Sequence, residues 1–144
     1  MGEGAPGALP LFLAIPSREG EILGAADRVL EALAAAGFAG RGAPRLKLAL
    51  IELITNAIEH GNRFDEKKTV RISARASGDR AEVTIADEGP GLDASALDRE
   101  LAEVALGAKR GRGISIVRRI LRERPTLNAA GNEVTIAFDR ELFR

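Results

Sequence analysis

Two polar side chains one helical turn apart, Glu52 and Asn56, are the first candidates for chemistry in this chain. They lie in LKLALIELITNAIEHGNR, residues 46–63. Winding this region at about 100° per residue gathers Arg45, Ala49, Glu52, Asn56, Glu59, His60 and Arg63 on one stripe. Leu46, Leu50, Leu53, Ile54, Ala57 and Ile58 fall opposite, and Leu48 and Ile51 widen the apolar side. Such a helix is expected to be largely buried, with Glu52 and Asn56 facing a cleft or buried partners. Their i, i+4 spacing puts a carboxylate and a carboxamide within reach of one ligand. An ordinary amphipathic helix with a solvated stripe fits the same pattern. Two further segments could contribute. Asp87-Glu88-Gly89-Pro90-Gly91 places a carboxylate at a strand end, before two glycines that let a ligand approach the backbone. Residues 107–113, GAKRGRG, are basic and flexible in type and lead into a helix. Taken singly, an acidic Gly-Pro-Gly turn is commonly only a turn and a lone G-x-G only a hinge.

The elements that must position these groups follow from periodicity and breakers. Residues 1–8 are small and expected to be loosely held. A strand is expected over 9–15, confined by Pro10 to an edge or a strand start. Ser17 can cap an amphipathic helix that stops at Ala36 and Gly37. Pro44 suits the first turn of the central helix, which Gly61 and Asn62 close. Strict alternation over 69–76 and 80–86, with a turn at 77–79, predicts a hairpin. A less regular helix is expected over 93–106 and a second over 114–124, ended by Pro125. Strands at 126–129 and 133–138, joined around Gly131 and Asn132, complete the sheet.

Composition narrows the chemistry. At 144 residues the chain suits one domain, here 9–144, large enough to bury a core. Its 21 basic and 21 acidic residues cancel, which suggests neither nucleic acid nor a membrane as an electrostatic partner. There is no cysteine and a single histidine, so thiolate and histidine-cluster metal sites are excluded. Any metal would take oxygen ligands, which suits magnesium. No apolar run reaches a membrane span, and 9–15 is too short for a signal peptide and lacks a basic flank. A soluble, cytoplasmic protein is expected.

In order and spacing, ELITNAIEHGN, DEGPG and GRG resemble the nucleotide-binding boxes of the GHKL superfamily of ATPases and kinases. The E-x-x-x-N-A-x-x-H-G-N helix and the single-domain size look most like the RsbW-type anti-sigma-factor serine kinases of bacteria. That resemblance runs from the N-terminal strand to Phe138. It implies a Bergerat-type fold, a two-layer α/β sandwich with a mostly antiparallel sheet covered on one face by helices. It implies ATP and Mg2+ as cofactors. Glu52 would be the catalytic base, Asn56 the magnesium ligand, and Asp87 the acceptor for the exocyclic amine of adenine, with Gly89 and Gly91 lining the base pocket. Gly111 and Gly113, at a helix start, would hold the triphosphate, with Lys109, Arg110 and Arg112 beside it. A solvated basic loop is the alternative for those three cations.

The implied function is Mg-ATP-dependent phosphorylation of a serine on a small STAS-type anti-anti-sigma protein, coupled to sequestration of a sigma factor by a homodimer. The alternative is an ATP-binding partner switch without kinase activity, such as a phosphatase activator or a non-catalytic anti-sigma protein. GAKRGRGIS lacks the order of a P-loop. His60 is expected to be a structural hydrogen-bonding residue rather than a phospho-acceptor. Related proteins usually carry Gly-Thr where this chain has Gly131-Asn132, and the lid segment before GRG is short.

Overall fold

The computed structural model describes residues 9–90, 112–121 and 123–144. Five strands, β1 (Leu11–Pro16), β2 (Thr69–Ser77), β3 (Arg80–Ala86), β4 (Thr126–Leu127) and β5 (Glu133–Asp139), form one sheet in the order β1-β2-β3-β5-β4. Every pairing is antiparallel. The period-two pattern sets the register. Leu13, Ile72, Ile85, Val134 and Leu127 align into one apolar row across all five strands, while the next row, Phe12, Ser73, Thr84, Thr135 and Thr126, is polar but for Phe12 and lies on the other face. Proline suits the edge position of β1, as the sequence requires.

Helices α1 (Ile22–Ala35), α2 (Ala43–Asn56) and α3 (Arg112–Leu121) cover the apolar face, giving the two-layer α/β sandwich. In α1 the buried residues Ile22, Ala25, Ala26, Val29, Ala32 and Leu33 recur at helical spacing. Pro44 sits in the first turn of α2, where its missing N–H costs nothing. Ala49 is a correction to the helical wheel. The wheel puts it on the polar stripe, but it is fully buried, because α2 packs against both α1 and α3 and so has more than its sheet-facing side covered. Leu48, by contrast, is exposed.

Phe38, Phe138 and Phe143 meet edge to face at 5.9–6.5 Å between ring centroids, closing the core at the end of the sheet remote from Asp87. Phe143 belongs to a short 3-10 turn, Arg140–Phe143, that periodicity does not reveal. Strand β4 is shorter than expected because Asn128 turns the chain, its Oδ1 accepting from the N–H groups of Asn132 and Glu133. The helix expected over 93–106 lies outside the described residues. Among the described residues no helix is long and apolar enough to cross a membrane.

Candidate functional site

The central helix changes character immediately after Asn56. Residues Ala57–Gly61 form a π turn, marked by the Asn62 N–H donating to the Ala57 carbonyl at 2.8 Å. A π turn at a helix C-terminus ends the helix and re-aims the chain that leaves it. Arg63 and Phe64 then take positive φ values of 52° and 59°, a left-handed exit that non-glycine residues adopt at a cost. Glu52 and Asn56 lie one turn apart and both are half-buried. Among the described residues neither side chain has a hydrogen-bond partner, which leaves a carboxylate and a carboxamide available on one face.

The acidic turn docks onto the end of this helix. A Cβ on Gly61 would sit 2.5 and 2.6 Å from the two carboxylate oxygens of Asp87, and a Cβ on Gly89 would collide with the backbone of Gly61. Both positions therefore need glycine for close approach rather than for φ. Asp87 Oδ1 accepts from the Gly89 N–H at 2.7 Å, and the Asp87 N–H donates to the Asn132 carbonyl at 2.9 Å. Among the described residues Asp87 Oδ2 has no hydrogen-bond partner. Burial pushes the Asp87 carboxyl above its usual range, opposed by the Gly89 N–H and by the charge of Lys68. The result is a half-buried acceptor beside a floor without side chains.

Below the turn lies a buried polar network. Asn62 Nδ2 donates to Ser17 Oγ at 2.9 Å and to the Thr69 carbonyl at 3.0 Å, while its Oδ1 accepts from the Glu88 N–H at 2.7 Å. Ser17 Oγ donates in turn to the Lys68 carbonyl at 2.7 Å. Ser17 and Asn62 are each 1% exposed, so this network fixes the junction of β1, β2, the π turn and the acidic turn. Glu88 reinforces it at the surface by accepting from the Thr69 N–H at 2.6 Å.

The structure thus brings Asp87 and Gly89 to the helix that carries Glu52 and Asn56. Arg112 and Gly113 lie in the first turn of α3, which packs against α2. Gly91, Lys109, Arg110 and Gly111 lie outside the described residues. Two expectations change. Ser17 does not cap α1, which is preceded by a 3-10 turn (Glu19–Glu21) without a side-chain cap; its hydroxyl instead joins the buried network. His60 is exposed and, among the described residues, makes no side-chain hydrogen bond. Asn132 turns its side chain to Asn128 and offers its carbonyl, not its amide group, to Asp87. Gly61 and Asn62 were legible as a helix stop and as the end of the E-x-x-x-N-A-x-x-H-G-N pattern, but not as the seat and anchor of the acidic turn. Their partners there, Asp87 and Glu88, lie 26 residues further along the chain.

Among the described residues no group of three or more His, Cys, Asp or Glu could hold a metal ion. A magnesium ion here would rely on a single neutral protein oxygen, which fits Asn56, with phosphate and water supplying the rest of the octahedron.

Comparison with known proteins places the chain in a family. The family described as a histidine kinase-like ATPase domain matches residues 15–138. Anti-sigma F factors of Clostridium perfringens strains SM101 and 13 are each 42% identical to this chain over 48 residues, 33% of this chain and 34% of the relative. The match therefore spans about a third of those relatives' length.

Proposed function

Because this chain belongs to the histidine kinase-like ATPase domain family, we propose that it is an ATP-dependent serine protein kinase that also acts as an anti-sigma regulatory factor. The observation that carries the reading is the docking of Asp87 on Gly61, which joins an acceptor suited to adenine to the helix bearing Glu52 and Asn56. Asp87 Oδ2 accepts from the exocyclic amine of the base, a donor that guanine lacks at that position. Asn56 would hold magnesium, which when bound would neutralise charge on the triphosphate. Glu52 accepts the proton of an attacking serine hydroxyl. The serine oxygen bonds to the terminal phosphorus as the bond to the bridging oxygen breaks, and ADP leaves. Arg112 and the start of α3, with Lys109, Arg110, Gly111 and Gly113, hold the phosphates, and Gly91 completes the base pocket.

The similarity to anti-sigma F factors supports a sigma factor as one partner; in this reading a small STAS-type antagonist is the one phosphorylated, and the chain acts as a homodimer. The test is incubation with labelled ATP, magnesium and candidate antagonists, comparing wild type with Glu52→Gln. The variant is expected to keep nucleotide while losing about 10²–10⁴-fold in transfer rate. Wild-type transfer by Glu52→Gln would remove Glu52 as the base. ATP binding with no transfer to any antagonist would leave the partner-switch reading, in which nucleotide controls association alone.

A further inference from the structure

Asn62 is the best-connected buried polar side chain among the described residues, and its bonds have a directional logic. Its two donor contacts go to the scaffold, Ser17 Oγ where β1 ends and the Thr69 carbonyl where β2 begins. Its one acceptor contact goes to the acidic turn, at the Glu88 N–H. The partners assign the amide unambiguously, because a carbonyl demands the NH2 and an N–H demands the oxygen. Glu88 N–H belongs to the peptide plane directly after Asp87. The plane directly before Asp87 is pinned by the Asp87 N–H bond to the Asn132 carbonyl. Both backbone dihedrals of Asp87 are thereby fixed from outside the turn. With Oδ1 committed to Gly89 and the carboxylate resting on Gly61, only one direction remains for Oδ2.

We propose that Asn62 is a positioning residue for nucleobase discrimination, its carboxamide orienting the peptide after Asp87 so that Oδ2 meets the exocyclic amine. The inference rests on the assignment of Asp87 to the base. It goes further by placing specificity in a buried side chain with no contact to nucleotide. Pre-organisation of this kind acts on selectivity, since a misaimed acceptor still leaves the pocket's apolar contacts to the purine intact.

The experiment compares ATP with purine riboside triphosphate, which lacks the amine, by calorimetry on wild type, Asn62→Ala and Asn62→Asp, with thermal unfolding of each. Asn62→Ala is expected to lower the preference for ATP by about tenfold or more, the loss of one well-formed hydrogen bond. Asn62→Asp keeps an acceptor for the Glu88 N–H and is expected to retain the preference to within about threefold. It should nonetheless be at least as destabilised as the alanine variant, because it sets a buried carboxylate against the Thr69 carbonyl. A purely structural role predicts the reverse order, with selectivity following stability. Unchanged preference in Asn62→Ala, or a larger loss in Asn62→Asp, overturns the proposal. Should neither variant fold, amide exchange at Glu88 in the wild type decides. Protection that rises with ATP supports the proposal, and an unprotected amide overturns it. A wild type that shows no preference for ATP removes the base assignment itself, and this inference with it; a wild-type preference that survives Asn62→Ala removes this inference alone.

Discussion

Gly61→Ala separates the candidate site from the fold with a single methyl group. The added Cβ would lie 2.3 Å from Asp87 Cγ and 2.5 and 2.6 Å from its two carboxylate oxygens, where ordinary contact begins at 3.4 Å, so the carboxylate must retreat by about 1.1 Å. Asp87 Oδ1 now sits 2.7 Å from the Gly89 nitrogen, and a retreat of that size carries the bond to or past the roughly 3.2 Å limit for N–H···O geometry. It also displaces Oδ2 from any base it would meet. Losing one hydrogen bond to an ionised acceptor costs about 1.5–3 kcal/mol, a fall in ATP affinity of about 10–150-fold. The fold should hardly notice. Gly61 has no positive φ, and glycine within a helical turn is itself less favourable than alanine by roughly 0.5–1 kcal/mol. Calorimetric titration with Mg-ATP, alongside thermal unfolding by circular dichroism, reads both quantities. The chain has no Trp or Tyr to report by fluorescence. Gly24→Ala is the control, since its Cβ in α1 meets nothing within 4 Å. Wild-type ATP affinity in a folded Gly61→Ala protein would refute the docking of Asp87 on the helix as the basis of the site.

Asp87→Asn keeps an acceptor for the Gly89 N–H but replaces Oδ2 with a donor, so ATP affinity and the preference for ATP over GTP should both fall, measured by the same titration. Burial raises the Asp87 carboxyl, so the folded state holds that proton longer than the unfolded chain does. Its contribution to stability is therefore present at acid pH and lost as pH rises through the raised value. Melting curves between roughly pH 3 and 7 should show wild type losing ground to Asp87→Asn as pH increases, and a difference moving the other way contradicts the assignment of burial as the dominant cause. Arg140→Ala probes the far end of the sheet, where the guanidinium lies 4.2 Å from the Phe38 ring centroid and donates to the carbonyls of Ala36 and Gly78. A loss of about 1–2 kcal/mol, or about 3–8 °C in melting temperature, is expected with ATP affinity unchanged.

Much of the scaffold was legible because its signals are local. Alternation over the β2–β3 hairpin and the helical spacing of Leu46, Leu50, Leu53 and Ile54 each arise from burying one face of a regular element, and a face is encoded within a few residues. The same wheel misplaced Ala49, since a small residue carries little pattern and its burial depends on flanking helices. Glu52 and Asn56 could be paired from their spacing alone. Seating Asp87 against Gly61, at the end of the same helix, required the fold.

Residue order by itself determined the β2–β3 hairpin, the apolar side of the central helix, the absence of thiolate chemistry and the pairing of Glu52 with Asn56. Tertiary structure alone decided that the helix turns π after Asn56, that Gly61 is a seat for a carboxylate, and that Asn62 holds the turn. The reason is distance along the chain. Asn62 meets Ser17, Thr69 and Glu88 across separations of 45, 7 and 26 residues. A side chain's hydrogen-bond partners at such separations have no periodicity to announce them, whereas an apolar stripe repeats every three or four residues and declares itself.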